Sequence, residues 1–158
     1  MPCSSATIRE AAEPADRIRM NLELHATPDE VMRAVETLRE FAQARGVPEK
    51  AIFGLALALE ECGSNIVNHA LRRDARQTFQ VCLEHTGAAV TIELRDRGPA
   101  FDPTAAAPRK PRAEDDDLPG GWGIELVRRY TDAIHYKREA GENVLRLDKR
   151  LVSETGTQ

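Results

Sequence analysis

Within the run Leu59–Ala70, Glu61, Asn65 and Asn68 stand at i, i+4 and i+7. On an α-helix these positions share one face. Ile52, Leu55, Leu59, Cys62, Ile66 and Ala70 fall on the opposite, apolar face. A carboxylate so placed can take a proton from a hydroxyl, and a carboxamide oxygen suits a hard cation such as Mg2+. A solvated face would normally be built from Lys, Glu and Arg, which favour helix. Here Gly54, Gly63, Ser64, Asn65 and Asn68 are poor helix formers, so propensity has been given up for something. Upstream, Gly54, Leu57 and Ala58 continue the face without charge, as a ligand with polar and apolar parts would require. The competing reading is that Leu57 widens the buried face of a well-covered helix. Glu60 lies about 100° round the helix from Glu61, off the Asn65 line. Asn68 can reach a phosphate or only water. His69 is off the line and reads as structural.

Two later segments bear on this helix. The strand-like run Ala89–Leu94 leads into Asp96-Arg-Gly-Pro-Ala-Phe-Asp-Pro103. A carboxylate at a strand end can accept a hydrogen bond from an adenine amino group, and Gly98 lets backbone approach the base closely. Asp-x-Gly is also ordinary turn chemistry. Next, Gly120-Gly-Trp-Gly123 opens a helical pattern through Ile124. The glycines leave room beside the backbone, and the free N–H groups of the helix start suit a phosphate. No Lys-Ser/Thr follows, so this is not a Walker A loop, and the dinucleotide fingerprint is missing too.

The order is acid–Asn helix, strand ending in Asp-x-Gly, variable loop, and Gly-rich turn into a helix. It resembles the GHKL-type ATPase superfamily of histidine kinases and gyrases. Within it, Glu61-x-x-x-Asn65-x-x-x-His69 and the Phe101-Asp-Pro103 tail look most like the anti-sigma-factor serine/threonine kinases, over roughly residues 17–150. The resemblance implies a Bergerat-type ATP-binding fold, with ATP and Mg2+ as cofactors. It implies Glu61 as the catalytic carboxylate and Asn65 as the metal ligand. Nucleotide contacts would come from Asn65, Asp96 as the adenine acceptor, Gly98, Phe101, Gly120, Gly121, Gly123 and Ile124. Phe101-Asp-Pro103 would pack beside Asp96. Trp122 departs from the aliphatic residue expected there.

The implied partners are a STAS-type anti-sigma-factor antagonist, phosphorylated on Ser or Thr, and a sigma factor that the kinase sequesters; a homodimer is implied as well. The rival is a non-catalytic nucleotide-binding module that sequesters its partner without chemistry. Glu61 favours the kinase, because a pure binder has no need of a carboxylate there. A histidine-kinase catalytic half fits poorly. The 48 residues before the second helix leave no room for a dimerising hairpin, and Glu61 replaces that group's usual asparagine.

Bulk properties narrow the classes. A chain of 158 residues is one domain with a proper core. A net charge of −4 gives no footprint for direct nucleic-acid or anionic-membrane binding. Cys3, Cys62 and Cys82 are unpatterned, which argues against zinc or a disulfide framework and for a reducing compartment. No apolar run reaches spanning length and the N-terminus lacks a secretory pattern, so the expected location is cytoplasmic.

The elements that must carry these residues follow from periodicity. Residues 1–16 read as a loosely held segment and 152–158 as a tail, flanking an ATP-binding domain over 17–151. Ile18–Leu24 alternates as a strand does. Thr27 caps a helix with Pro28 at its first position, closed by Gly46. A second helix spans about 49–72. Thr78–Glu84 and Ala89–Leu94 form a hairpin. Residues 104–119 would be the ATP lid, where Arg109, Lys110 and Arg112 could meet a phosphate that Asp115–Asp117 would repel. A helix follows over about 120–132, then a hairpin from Ile134–Arg138 and Asn143–Leu151. Grouped rather than alternating elements predict an α+β two-layer sandwich, its mostly antiparallel sheet covered on one face by helices.

Overall fold

The computed structural model describes residues 17–105 and 123–151. Residues 1–16 and 152–158, expected to be a loosely held segment and a tail, lie outside them, as do Gly120, Gly121, Trp122 and the expected lid beyond residue 105.

Five strands are described: β1 (Ile18–His25), β2 (Thr78–His85), β3 (Ala89–Asp96), β4 (Ala133–Glu139) and β5 (Glu142–Arg150). They form one sheet in the order β1-β2-β3-β5-β4, with every pairing antiparallel. Period-two alternation separates its faces. Leu24, Phe79, Val81, Leu83, Val90, Ile92, Leu94 and Leu147 are buried on one face. Asn21, Gln80, Cys82, Glu93, Arg95 and Arg146 line a recess of about 610 Å³ on the other. The turn between β4 and β5 is the two-residue Ala140-Gly141, both at positive φ (51° and 77°), as a twisted hairpin of that length requires.

The helices cover the apolar face. Helix α1 (Pro28–Gln43) begins as the sequence predicts: Thr27 accepts from the Glu30 N–H at 3.2 Å, and Pro28 follows it. Its stripe Val31, Ala34, Val35, Leu38, Phe41 and Ala42 is buried. Helix α2 (Glu49–Asn65) buries Ile52, Leu55, Leu59 and Cys62. Helix α3 (Gly123–Tyr130) buries Val127. No helix among the described residues is long and apolar enough to cross a membrane.

Two expectations are corrected. The second helix does not run in α geometry to residue 72. It ends at Asn65 and continues as one π-helical turn, Ile66–Ala70, closed by the Leu71 N–H on the Ile66 carbonyl at 2.8 Å. Arg72 and Arg73 then leave in left-handed conformations, φ 50° and 56°. Asn65, β-branched Ile66 and Val67, Asn68 and His69 give little support to another α turn. Secondly, the uncharged upstream face of α2 is not a free ligand surface. Ala58 is fully buried, and the ring of Tyr130 from α3 lies over Gly54.

Gly54 is therefore a packing glycine. A Cβ there would lie 2.8 Å from Tyr130 Cδ1 and 2.9 Å from its Cβ. Such overpacking costs about 1–3 kcal/mol, which outweighs the ~1 kcal/mol gained by removing a helical glycine. We expect Gly54→Ala to lower the urea midpoint at unchanged m; an equal or higher midpoint would show that α3 can shift away.

Candidate nucleotide and phosphoryl-transfer site

Three elements converge on the candidate site: α2 with its π turn, the end of β3, and the start of α3. Glu61 and Asn65 are both half-buried on α2. They face the first residue of α3. A Cβ built on Gly123 would lie 2.9 Å from Glu61 Oε2 and 3.4 Å from Asn65 Nδ2. The carboxylate thus stands at the positive end of a helix, in a cleft too narrow for a side chain at Gly123. Burial, and secondarily the charge of Glu60, pushes the Glu61 carboxyl above its ordinary range. That shift suits a group that must take a proton near neutral pH. Ile124, the next residue, is half-buried and packs on the hydrophobic core.

The π turn changes the role of Asn68. A π turn advances by fewer degrees per residue than an α turn, so Asn68 falls short of the Glu61–Asn65 line. Its Oδ1 accepts from Arg73 Nε at 2.8 Å and braces the exit of the turn. His69 is exposed. The turn also brings Ala70 against the Asp-x-Gly segment: a Cβ on Gly98 would lie 2.7 Å from Ala70 Cβ and 2.9 Å from its carbonyl oxygen. Gly98 therefore serves close approach of one backbone to another.

Asp96, the last residue of β3, is 6% exposed. Its Oδ1 accepts from the Gly98 N–H at 2.9 Å and from Asn143 Nδ2 at 3.0 Å. Sequence reasoning missed Asn143. Its position as the second residue of β5 carries no motif, and only the pairing of β3 with β5 sets it opposite Asp96. The Phe101 N–H donates to Asn143 Oδ1 at 3.2 Å, while the residue as a whole is 62% exposed. The Phe101-Asp-Pro103 tail is thus tied to Asp96 through its backbone and Asn143, not through ring packing. Asp102 Oδ1 accepts from the Thr104 N–H at 2.8 Å, and Arg128 of α3 donates to the Thr104 carbonyl at 3.0 Å. This ties the start of the expected lid to α3. Arg109, Lys110 and Arg112 are outside the described residues, as are Gly120 and Gly121.

No group of three or more His, Cys, Asp or Glu suited to a metal occurs among the described residues. The donors at hand are oxygens, from the Glu61 carboxylate and the Asn65 carboxamide. Such a set fits Mg2+, which usually takes one or two protein ligands and completes its shell with phosphates and water.

The raised Glu61 carboxyl also has a consequence for stability. A folded-state value above the unfolded one means that the folded chain holds this proton more tightly. The stabilising contribution is full below the unfolded value and is lost as pH rises through the folded one. At pH 7 the ionised, half-buried Glu61 is therefore a cost. We expect Glu61→Gln to raise the melting temperature at pH 7 and to have little effect below the carboxylate range. Equal shifts at both pH values would contradict the burial argument.

Comparison with known proteins bears on the family and the fold. The histidine kinase-like ATPase domain family matches residues 24–149. The chain is 33% identical over 135 residues to the serine/threonine-protein kinase BtrW of Bordetella bronchiseptica, covering 85% of this chain and 95% of that one. Among solved structures it resembles the RsbU and RsbW domains of a Mycobacterium tuberculosis protein, with a TM-score of 0.62 and 19% identity. That match covers 85% of this chain and 32% of the other, so the chain spans about a third of that protein. The SiaB–SiaC complex of Pseudomonas aeruginosa gives a TM-score of 0.55 at 13% identity, covering 84% of this chain and 89% of the other. These two likenesses concern the fold: among the described residues, five antiparallel strands under three α-helices, the ATPase-type sandwich expected from the sequence. With its acid–Asn helix, its Asp-x-Gly strand end and a family match over most of its length, the chain belongs to the histidine kinase-like ATPase domain family.

Proposed function

We propose that this chain is an ATP- and Mg2+-dependent protein serine/threonine kinase that acts in partner switching. It would phosphorylate a small STAS-type antagonist protein and sequester a sigma factor. The observation that carries the catalytic part is the pairing of Glu61 and Asn65 against the N-terminal end of α3 at Gly123. The kinship with a named serine/threonine-protein kinase over nearly its whole length supports the reaction class. The sigma factor, the antagonist and a homodimeric state rest on the motif resemblance.

In this reading Asp96 accepts a hydrogen bond from the adenine amino group, with Gly98 and the Phe101 segment beside the base. Gly120, Gly121, Gly123 and Ile124 bring the α3 N-terminus to the phosphates. Asn65 would hold Mg2+, which when bound neutralises charge on the phosphate oxygens. Glu61 takes the proton from the attacking Ser or Thr hydroxyl. That oxygen bonds to the γ-phosphorus as the bond to the β–γ bridging oxygen breaks, and ADP leaves with the electron pair. Burial raises the carboxyl of Glu61, which strengthens it as a base.

The test compares nucleotide binding and transfer of labelled phosphate to a cognate antagonist. Glu61→Gln should keep ATP affinity and lose transfer by at least ~100-fold, as general-base removal does. Asn65→Ala should instead weaken Mg·ATP binding itself. Transfer at the parent rate by Glu61→Gln would remove Glu61 from the chemistry and turn attention to Glu60. A parent protein that binds a sigma factor yet never transfers phosphate would be a nucleotide-dependent binding module.

The cleft at Gly123 gives a second, sharper test. A Cβ there crowds the flexible end of Glu61, which can give way, while Asn65 Nδ2 stays at ordinary contact distance. We expect Gly123→Ala to fold with a near-parental melting temperature and to lose most phosphate transfer. Retained transfer would mean that the Glu61 position seen here is not the working one.

A further inference from the structure

Asn143 pairs with Asp96 across β3 and β5, and both side chains are buried. Its carboxamide engages five partners. Nδ2 donates to Asp96 Oδ1 at 3.0 Å, to the Pro99 carbonyl at 2.9 Å and to the Gly98 carbonyl at 3.4 Å. Oδ1 accepts from the Phe101 N–H at 3.2 Å and from the Tyr136 hydroxyl at 2.6 Å. This orientation is chemically determined. A backbone N–H can only donate, so the amide edge facing Phe101 must be oxygen, and the nitrogen edge then faces Asp96. Arg138 adds a further bond to the Gly98 carbonyl at 2.8 Å. The Asp96 carboxylate thus receives two donors on Oδ1 and, among the described residues, none on Oδ2.

We propose that Asn143, locked by Tyr136, is a positioning residue that sets the base specificity of the nucleotide site. It commits Oδ1 of Asp96 to the protein and leaves Oδ2 for the exocyclic amine of adenine. The inference rests on the assignment of Asp96 as the adenine acceptor. Adenine offers a donor at C6 where guanine offers an acceptor oxygen. A carboxylate fixed with one oxygen committed meets that guanine oxygen acceptor to acceptor, an unpaired buried contact that strongly penalises the wrong base. A carboxylate free to rotate, or one with room for water, loses that penalty. Asn143 would therefore act on discrimination as well as on affinity.

The experiment is calorimetry of the full chain with ATP and with GTP. We expect Asn143→Ala to weaken ATP about 10-fold, the scale of a lost hydrogen bond to a charged group, with GTP changing less than about 3-fold. The ATP/GTP ratio narrows accordingly. Asn143→Asp should lose more, because it sets a second carboxylate against Asp96. Tyr136→Phe keeps the ring and removes only the hydroxyl donor. It should narrow the ratio less but in the same direction, and it carries the test if Asn143 variants fail to fold. A merely structural role would lower the melting temperature and weaken both nucleotides alike. An unchanged ratio in folded Asn143→Ala or Tyr136→Phe overturns the proposal. Asp96→Asn separates the two levels. If it abolishes discrimination while Asn143 variants retain it, positioning is wrong and the adenine assignment stands. If Asp96→Asn itself retains discrimination, both fall.

Discussion

The antiparallel approach of α3 to α2 is the constraint on which the site depends. Tyr130 lies over Gly54, and Gly123 lies against Glu61 and Asn65. From Gly54 to Glu61 is seven residues, and so is the interval from Gly123 to Tyr130, about two helical turns on each helix. The two helices therefore run against each other in register, with glycine supplied by α2 at one end and by α3 at the other. Buried Ala58 and Val127 stand midway along them. Over the eight described residues of α3, this contact fixes the helix direction and brings Gly123 against the two polar residues of α2. Without it, Glu61 and Asn65 would be two groups on an exposed helix face.

A second contact closes the other side of the site. The π turn Ile66–Ala70 carries the chain from α2 to the strand layer, and it meets the Asp-x-Gly segment where Ala70 abuts Gly98. A buried carboxylate such as Asp96 is costly unless hydrogen-bonded, and its hydrogen bonds come from Gly98 and from Asn143 on the neighbouring strand. Gly98 thus faces both the carboxylate and the π turn. Strand pairing holds the Asp96 end of the candidate site, and helix packing holds the Glu61–Asn65 end.

These two modes of support explain what could be read in the chain. Local chemistry was legible: the Thr27 cap with Pro28, the alternation of the two hairpins, and the spacing of Glu61 and Asn65. The family match over residues 24–149 agrees with the ordered motifs. What escaped is non-local. Asn143 carries no motif, and its importance arises from a partner 47 residues away. The π turn was hidden because residues 66–70 continue an apolar stripe, whereas the geometry is set by hydrogen bonds and by the fit to Gly98. The upstream face of α2 was misjudged for the same reason. Gly54 and Ala58 are small to admit another helix, and a covering helix of the same chain cannot be distinguished from a ligand by residue type.

The electrostatics of Glu61 link this packing to reactivity. A glutamate in water is too weak a base to take much of a proton near neutral pH. Burial beneath α3, reinforced by Glu60, raises its carboxyl and so strengthens it as a base. The same burial makes the ionised form costly, and the end of α3 that creates the burial also offsets it, since a helix N-terminus favours negative charge. A phosphate brought to that helix end would compete for the same positive dipole and add like charge beside Glu61, strengthening the base further. In the proposed reading, the packing that holds the helices together thus also tunes the carboxylate for a bound nucleotide.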